Sequence, residues 1–442
     1  MKTLLFAVVG LALALPVWGD EPAKLEIHEW GTFTVVSGSD GRPLQWYQPA
    51  SASAELPSFV GRSILLSITG KNGRGTLELG NGRSSVPYGP AASYVRMETP
   101  VIYFYPQQSM KVSAQVSFAD GRFTEWFPAP WNPGQPSPIS TGVVPWTIET
   151  KLTWNGELLP PDDMVALSKI PKVEGKRDTH YGHAREVPKA WIFHSAAPAN
   201  PAPTQGGQVA PQPWEKFIFY RGAGDALPAF EAHALDDHRM KMYRFDQGDA
   251  PIVVFALQVE GAQARWKRMP DLAARSKDSM SPATISEVLL EKEPQLSLAQ
   301  VSEQLGSAMA GELITAGLSP DEAKAMVATW SDSWFRENGS RVFALLPRAW
   351  VDSVLPLEIT PRPEKMTRVF VGRFETFTAS QENTLLTLLA PQNNVDAATR
   401  TKFADLHLGR FGYAALQRAH NLMDLQFRLL ESAALRPTTA AR

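Results

Sequence analysis

The sequence predicts an α+β protein: a strand-rich N-terminal part, built as an antiparallel sandwich or one twisted sheet, followed by a mixed, helix-rich C-terminal part. Three observations predict it. From Leu25 to about Val259 the apolar residues mostly recur with a period of two, as half-buried strands require. From about Ser281 the period lengthens toward 3.6 and helix-start signatures appear. The chain also holds 36 Pro, 13 Trp and 21 Phe, a texture of β-rich proteins in which aromatics fill pleated faces and prolines mark edges and loops.

The elements follow in order. Lys2, an apolar run from Leu4 to Leu15 and the Val17-Trp18-Gly19 stretch make residues 1–19 the expected removable signal peptide. The run is shorter than the ~20 residues that span a membrane, and no later segment approaches that length without charges. A periplasmic or secreted location is therefore expected, with a β-rich domain over 20–280 and the mixed region over 281–442.

In the first strand Leu25, Ile27 and Glu29 alternate with Glu26, His28 and Trp30, and Phe33, Val35 and Val36 follow. Ile64 to Ile68, Val101 to Tyr105, and Val112 through Phe118 continue the series. Asp120-Gly121 reads as a hairpin turn into Phe123 and Trp126. Trp146, Ile148, Thr150, Leu152 and Trp154 alternate up to Asn155-Gly156, a dipeptide suited to a type I′ turn. Further strands are expected at Trp191–His194, Phe217–Tyr220, Met240–Phe245 and Ile252–Val259. Two interruptions, Phe127–Pro145 and Ala196–Pro213, are rich in proline, and the second reads as a long exposed loop.

Ser281-Pro282 and Ser319-Pro320-Asp321-Glu322 both read as helix starts, the second complete with N-cap Ser, Pro at N1 and Glu at N3. Met326, Trp330 and Trp334 then form one stripe, and Asn338-Gly339 ends the helix. Strands return at Val342–Leu346 and Val369–Phe377, followed by helices near Glu382–Leu389 and Gly409–Glu431.

Composition excludes several classes of function. Lys plus Arg (43) nearly balances Asp plus Glu (45), so no overall field draws the chain to nucleic acid or anionic lipid. The absence of Cys removes disulfides and thiolate metal sites. No GxSxG, HExxH, Walker or GxGxxG pattern is present, and no cofactor or metal is expected.

The candidate acid–base residues are His28, Glu98 and His180. His28 and Glu29 point to opposite faces of a regular strand, whereas Glu26 and His28 share one, and Gly31 permits a bulge or a close approach beside them. His180 and His183, with Asp178 and Glu186, have an HxxH spacing that signals a metal only weakly; His233, Asp236, Asp237 and His238 read as a solvated turn. Glu98, Glu125 and Asp332 stand beside aromatics, yet the spacing sets no two at the separation a glycosidase needs. Asp332, near the end of its helix, calls for a cation, Arg336 or Arg341. Tyr181, Arg185, Arg221 and Trp334 are the candidate ligand-binding residues: a guanidinium offers a planar fork to an anionic group, although lying over an aromatic face is its commoner use.

Several segments resemble a family. His28-Glu29-Trp30-Gly31-Thr32-Phe33-Thr34, Met97-Glu98-Thr99-Pro100-Val101-Ile102-Tyr103-Phe104-Tyr105, Phe217-Ile218-Phe219-Tyr220-Arg221-Gly222 and Thr329-Trp330-Ser331-Asp332-Ser333-Trp334-Phe335 are similar to stretches of uncharacterised exported proteins of environmental bacteria. Leu346-Pro347-Arg348 and Arg368-Val369-Phe370-Val371-Gly372-Arg373 extend the likeness over most of the chain. The resemblance implies no activity. It matches His180, Tyr181, Ala184 and Arg185 and departs at Gly182-His183, which argues against an HxxH metal site and for a hydrogen-bonding role of His180 with Arg185.

The sequence thus leads to an extracytoplasmic binding or accessory protein with an aromatic-lined cleft where the two parts meet, its partner a carbohydrate or cell-envelope component. A hydrolase of unfamiliar type, using His28, Glu98 or His180, and a structural envelope protein are the alternatives. Convergence of His28, Glu98, His180 and Arg221 on one pocket is the observation that separates them.

Overall fold

The alternation noted from Leu25 onward produces β1 (Ala23–Ser37). Then come β2 (Val95–Pro106), β3 (Met110–Ser117), β4 (Gly121–Phe127), β5 (Lys151–Leu159), α1 (Met164–Lys169), α2 (Thr179–His183), β6 (Ile192–Ser195) and β7 (Ile218–Gly224). The chain continues through β8 (Phe230–Ala234), β9 (Arg239–Arg244), β10 (Val254–Glu260), β11 (Gln263–Arg268) and β12 (Ala283–Leu289). It ends with α3 (Leu298–Thr315), α4 (Pro320–Phe335), β13 (Gly339–Leu345), α5 (Arg348–Val354), β14 (Leu357–Thr360), β15 (Pro363–Thr376), α6 (Ala379–Leu389), α7 (Ala397–Asp405) and α8 (Gly412–Ala434).

This computed structural model describes residues 22–46, 56–57, 59–62, 68–69, 75–77, 87–88, 93–130, 150–173, 179–196, 213–226, 228–236, 238–245, 251–273, 283–390, 396–406 and 408–434. Residues 1–19, expected from the sequence to be a signal peptide, residues 64–67, 131–149 and 197–212, Asp178, Asp237 and Ser281-Pro282 lie outside the described residues, as does the His180 side chain.

A ten-stranded sheet runs in the order Leu296–Ser297, β11, β10, β13, β15, β1, β2, β7, β4, Gly61–Arg62. β1 pairs with β2 antiparallel and with β15 parallel, so strands from both sides of residue 280 share this sheet. The parallel pair departs from the expected antiparallel arrangement, because alternation reveals a strand and its faces but not which distant strand lies beside it.

β1 sends Leu25, Ile27, Phe33 and Val35 into a core with Val112 and Val116 of β3, Leu152 and Trp154 of β5, and Met240 and Met242 of β9. Two smaller sheets therefore cover that face: one of Trp214–Glu215, β6, β5, β3 and β14, the other of β8, β9 and β12. Trp30, on the other face, packs with Val301, Leu305 and Met309 of α3 and with Met326, Trp330 and Trp334 of α4. A third core joins Val36, Trp46 and Phe377 to Leu385 of α6, Phe411, and Ala415 and Ala419 of α8. The two smaller sheets and α5, through Val351, lie on one side of the central sheet and α3 and α4 on the other, an α+β arrangement. Among the described residues no helix is long and apolar enough to cross a membrane.

The predicted capping box of α4 is present, with Ser319 and Glu322 bonded reciprocally. Three local expectations are corrected. The Asp120-Gly121 turn joins no hairpin: β3 pairs with β5 and β14, β4 with β7, so the chain changes sheet there. Asn155-Gly156 lies within β5, opposite Ser113 and Val112. A Cβ at Gly156 would stand 2.4 Å from the His194 carbonyl oxygen, so the glycine serves close approach to β6 and not a turn. After Ser281-Pro282 the chain forms β12, paired with β9, and the helix begins instead at Leu298 behind a Ser297–Gln300 capping box. The start signal is local, and tertiary pairing overrides it.

Candidate functional site

The predicted bulge lies between β1 and β2. Trp30 faces Val101 and Thr32 faces Glu98, so Thr99 and Pro100 stand against Gly31 alone. A Cβ at Gly31 would meet the Phe370 ring at 2.7 Å and the Pro100 Cα at 2.9 Å, which only glycine avoids. Thr99 takes a φ of 51°, uncommon for a β-branched residue and costing about 1–3 kcal/mol. Its Oγ1 accepts from Arg221 Nε at 3.3 Å and Nη2 at 3.1 Å.

Past the bulge, the helix side of the central sheet carries charge. Arg96 and Glu98 stand on β2, Glu125 on β4, Arg221 on β7, Arg341 on β13, and Arg373 and Glu375 on β15, all buried. The segments after α4 and before α8 add Glu337 and Arg410. Glu98 accepts from Arg410 Nη1 at 2.8 Å and Thr34 Oγ1 at 2.5 Å. Burial pushes the Glu98 carboxyl up, but Arg410, the Thr34 bond, Arg96 and Arg221 outweigh it and hold it down at about 2. Glu375 accepts from Arg373 Nε at 2.6 Å and lies 2.8 Å from Arg341 Nε. Arg373 Nη2 donates to Glu337 at 2.6 Å. Burial, with Arg373 beside it, lowers Arg341 to about 10 despite the attraction of Glu375.

At the other end of α4, His28 Nδ1 donates to the Glu322 carboxylate at 2.8 and 3.0 Å. Tyr105 Oη and the Ser319 backbone N–H donate to the same group, each at 2.7 Å. Burial raises the Glu322 carboxyl, and these bonds bring it below the ordinary value. Among the described residues His28 Nε2 is buried without a hydrogen bond, the Glu26 carboxylate lying 3.9 Å away. Glu29 points to the opposite face, as its neighbour's position requires, and bonds Tyr220 and Arg368.

Glu98 and Arg221 therefore come together, while His28 stands four residues up β1, roughly 13 Å along the strand. Tyr181 and Arg185 also meet, on Glu215: Tyr181 Oη donates at 3.0 Å and Arg185 Nη2 at 2.6 Å. Burial and the negative charge of Glu215 raise the Tyr181 phenol well above its ordinary range. Trp334 is fully buried, its ring against Phe343 and Trp330. Asp332 pairs with Arg336 at 3.4 Å. His183 pairs with Glu186, His233 with Glu231, and His238 meets Gln258 at 3.1 Å. Among the described residues no three His, Asp or Glu side chains are grouped to hold a metal ion.

Two clefts open where the strand ends meet the last helices. One, of about 430 Å³, is lined by His238, Gln258, Ser340, Thr378, Ser380 and Asp405 among others. The second, of about 340 Å³, is lined by Glu337, Phe403, Leu408, Gly409 and Gly412, and Asn338 borders both. Sequence reasoning read His238 as part of a solvated turn and missed the other side chains named here, and also Glu215, Glu337 and Arg410. His238 and the Asn338-Gly339 break were the local signals near the clefts.

No family model and no curated protein matches the sequence. Among solved structures, the chain is similar to the Fcho1 Mu homology domain of Danio rerio with bound Eps15 peptide, at 8% identity and a TM-score of 0.24. The match covers 81% of this chain and 96% of that one, and a likeness this small carries no argument.

Proposed function

We propose that the protein is an exported binding or accessory protein that holds a small, hydroxyl-rich ligand of the carbohydrate or cell-wall class. The observation that carries this reading is the 430 Å³ cleft, whose lining brings amide, hydroxyl, imidazole and carboxylate groups together with the apolar Val259 and Leu406. Such groups donate and accept in turn, which matches sugar hydroxyls, and the volume lies in the usual range for small ligands. The lining differs from the aromatic platform expected from composition, since Trp30, Trp46, Trp154 and Trp334 are spent on the cores. The apolar opening segment and the likeness to exported bacterial proteins support export. A hydrolase built on His28 and Glu98 gains no support, because an acid–base pair must reach one substrate and these two stand apart.

Calorimetric titration of the mature chain with oligosaccharides and cell-wall fragments tests the proposal. Saturable binding is expected, weakened about fivefold by Asp405→Ala or Ser380→Ala, each a loss of one ordinary hydrogen bond. Absence of binding across the panel, or turnover of any member, overturns it. Binding that neither substitution changes removes the ligand from this cleft.

A further inference from the structure

Trp46 gathers polar groups that the fold leaves unfilled. Its backbone bridges to Ser93, with Trp46 N–H donating to the Ser93 carbonyl at 3.0 Å and the reverse bond at 3.1 Å. The guanidinium centres of Arg96 and Arg410 stand 5.7 and 5.6 Å from the Trp46 ring, and the Phe411 ring meets it edge-on at 5.1 Å. Four buried atoms here have no hydrogen-bond partner among the described residues: Trp46 Nε1, Ser93 Oγ, Arg96 Nε and Arg410 Nε, the last 3.8 Å from a Glu337 carboxylate oxygen. Every one of them can donate, and the three nitrogens cannot accept. Folded proteins seldom leave such groups unmet, since each buried donor without a partner costs free energy.

The charge points the same way. Arg96, 3% exposed, forms no ion pair among the described residues. Glu98, the carboxylate two residues along, is already taken by Arg410 and Thr34. Around Arg96 stand Arg221 and Arg410 against Glu98 and Glu125, and extending the set to Arg341, Arg373, Glu337 and Glu375 leaves five guanidinium groups facing four carboxylates. Burial lowers Arg96 below the usual arginine value, Glu125 and Glu98 oppose this, and Arg221 and Arg410 add to it. A bound negative charge would relieve both the burial and the repulsion. The 340 Å³ cleft is lined by Gly409 and Gly412, on either side of Arg410 and Phe411 in the chain, and by Glu337.

We propose that the neighbourhood of Trp46, Ser93, Arg96 and Arg410 is a binding site for a tetrahedral oxyanion, either free phosphate or sulfate or the phosphate terminus of a sugar. Two guanidinium groups supply the charge, and the indole N–H and hydroxyl complete the donor set. The site is separate from the polar cleft above and stands or falls without it.

The test uses residues 20–442 in thermal unfolding and calorimetric titration. Sodium phosphate, sodium sulfate and a sugar phosphate are compared with sodium chloride at matched ionic strength. Saturable stabilisation by phosphate or sulfate over chloride is expected, and a response to the sugar phosphate alone would assign the site to a phosphorylated ligand. Arg96→Gln should weaken the apparent affinity tenfold or more, the scale of one charge-assisted hydrogen bond. Ser93→Ala, a milder change that keeps the readout should Arg96→Gln fail to fold, should weaken it about threefold. Equal responses to all salts, or identical responses of the parent and both variants, overturn the proposal. So does Arg96→Met melting above the parent with no anion dependence in either, the signature of a buried cation met only by water.

Discussion

The two ends of α4 rest on the same face of the same sheet, and each meets buried charge, but in opposite states. At its start one carboxylate, Glu322, receives His28, Tyr105 and the Ser319 N–H, so the charge is closed by donors from the chain itself. Past its end, among the described residues, five guanidinium groups stand with four carboxylates, and four donors around Trp46 have no hydrogen-bond partner, against the single His28 Nε2 at its start. The comparison teaches that burial of charge does not mark a site. A balanced set fastens a helix to a sheet; a set with surplus donors is the one proposed above to take an anion.

The largest effect should come from the crowded end. Glu98→Gln removes the nearer of the two carboxylates that face Arg410, Glu337 lying 3.8 Å away, so a loss of about 3 kcal/mol is expected by urea unfolding. The acid limb sharpens this. Glu98 is held at about 2 against an ordinary 4.5, so its ionised form is favoured by folding. Its contribution, on the order of 3 kcal/mol, is complete above about pH 4.5 and is lost as the pH falls toward 2. The variant should therefore show a shallower decline over that window, and an unchanged slope would show that Glu98 is not held by its cations. Glu322→Ala comes next, at about 2–4 kcal/mol, because His28, Tyr105 and Ser319 lose a common acceptor. Its response to phosphate or sulfate should match the parent's. A changed response would break the comparison by coupling the two ends.

Much of the clamp was legible in the sequence. The opposition of His28 and Glu29, the freedom at Gly31 and the capping box at Ser319 follow from strand alternation and local bonding, which act over a few residues. The Met326, Trp330 and Trp334 stripe likewise found its core. What alternation could not show is partnership across the chain. Nothing near His28 names Glu322, and nothing near Glu98 names Arg410, 312 residues away. Asn155-Gly156 failed for the complementary reason: a glycine demanded by a neighbouring strand looks locally like one demanded by a turn. The aromatics were read as filling pleated faces and also as lining a cleft; Trp30, Trp46, Trp154 and Trp334 pack in the interior, and composition alone, which counts side chains without placing them, does not choose between the two.

Smaller effects test how local the clamp is. Ser319→Ala removes the N-cap bond to the Glu322 N–H and should cost about 1 kcal/mol, with no effect on anion response.

Asp332 should matter least, and its contrast with Glu337 shows why. Both acids lie at the same end of α4, where the helix dipole disfavours negative charge. The sequence offered Arg336 or Arg341 as the partner of Asp332. Arg341 is buried beside Glu375, and Asp332 meets only Arg336, 3.4 Å away with its own side chain 89% exposed. Water screens such a pair, so Asp332→Ala should change stability by about 0.5 kcal/mol or less, less still in molar salt. Glu337 holds the buried Arg373 at 2.6 Å and is itself lowered, burial being outweighed by Arg373, Arg410 and Arg341. Glu337→Gln should therefore cost several times more than Asp332→Ala in the same urea titration. Equal losses would mean that the cations past α4 are solvated, and the difference between the two ends of the helix would disappear.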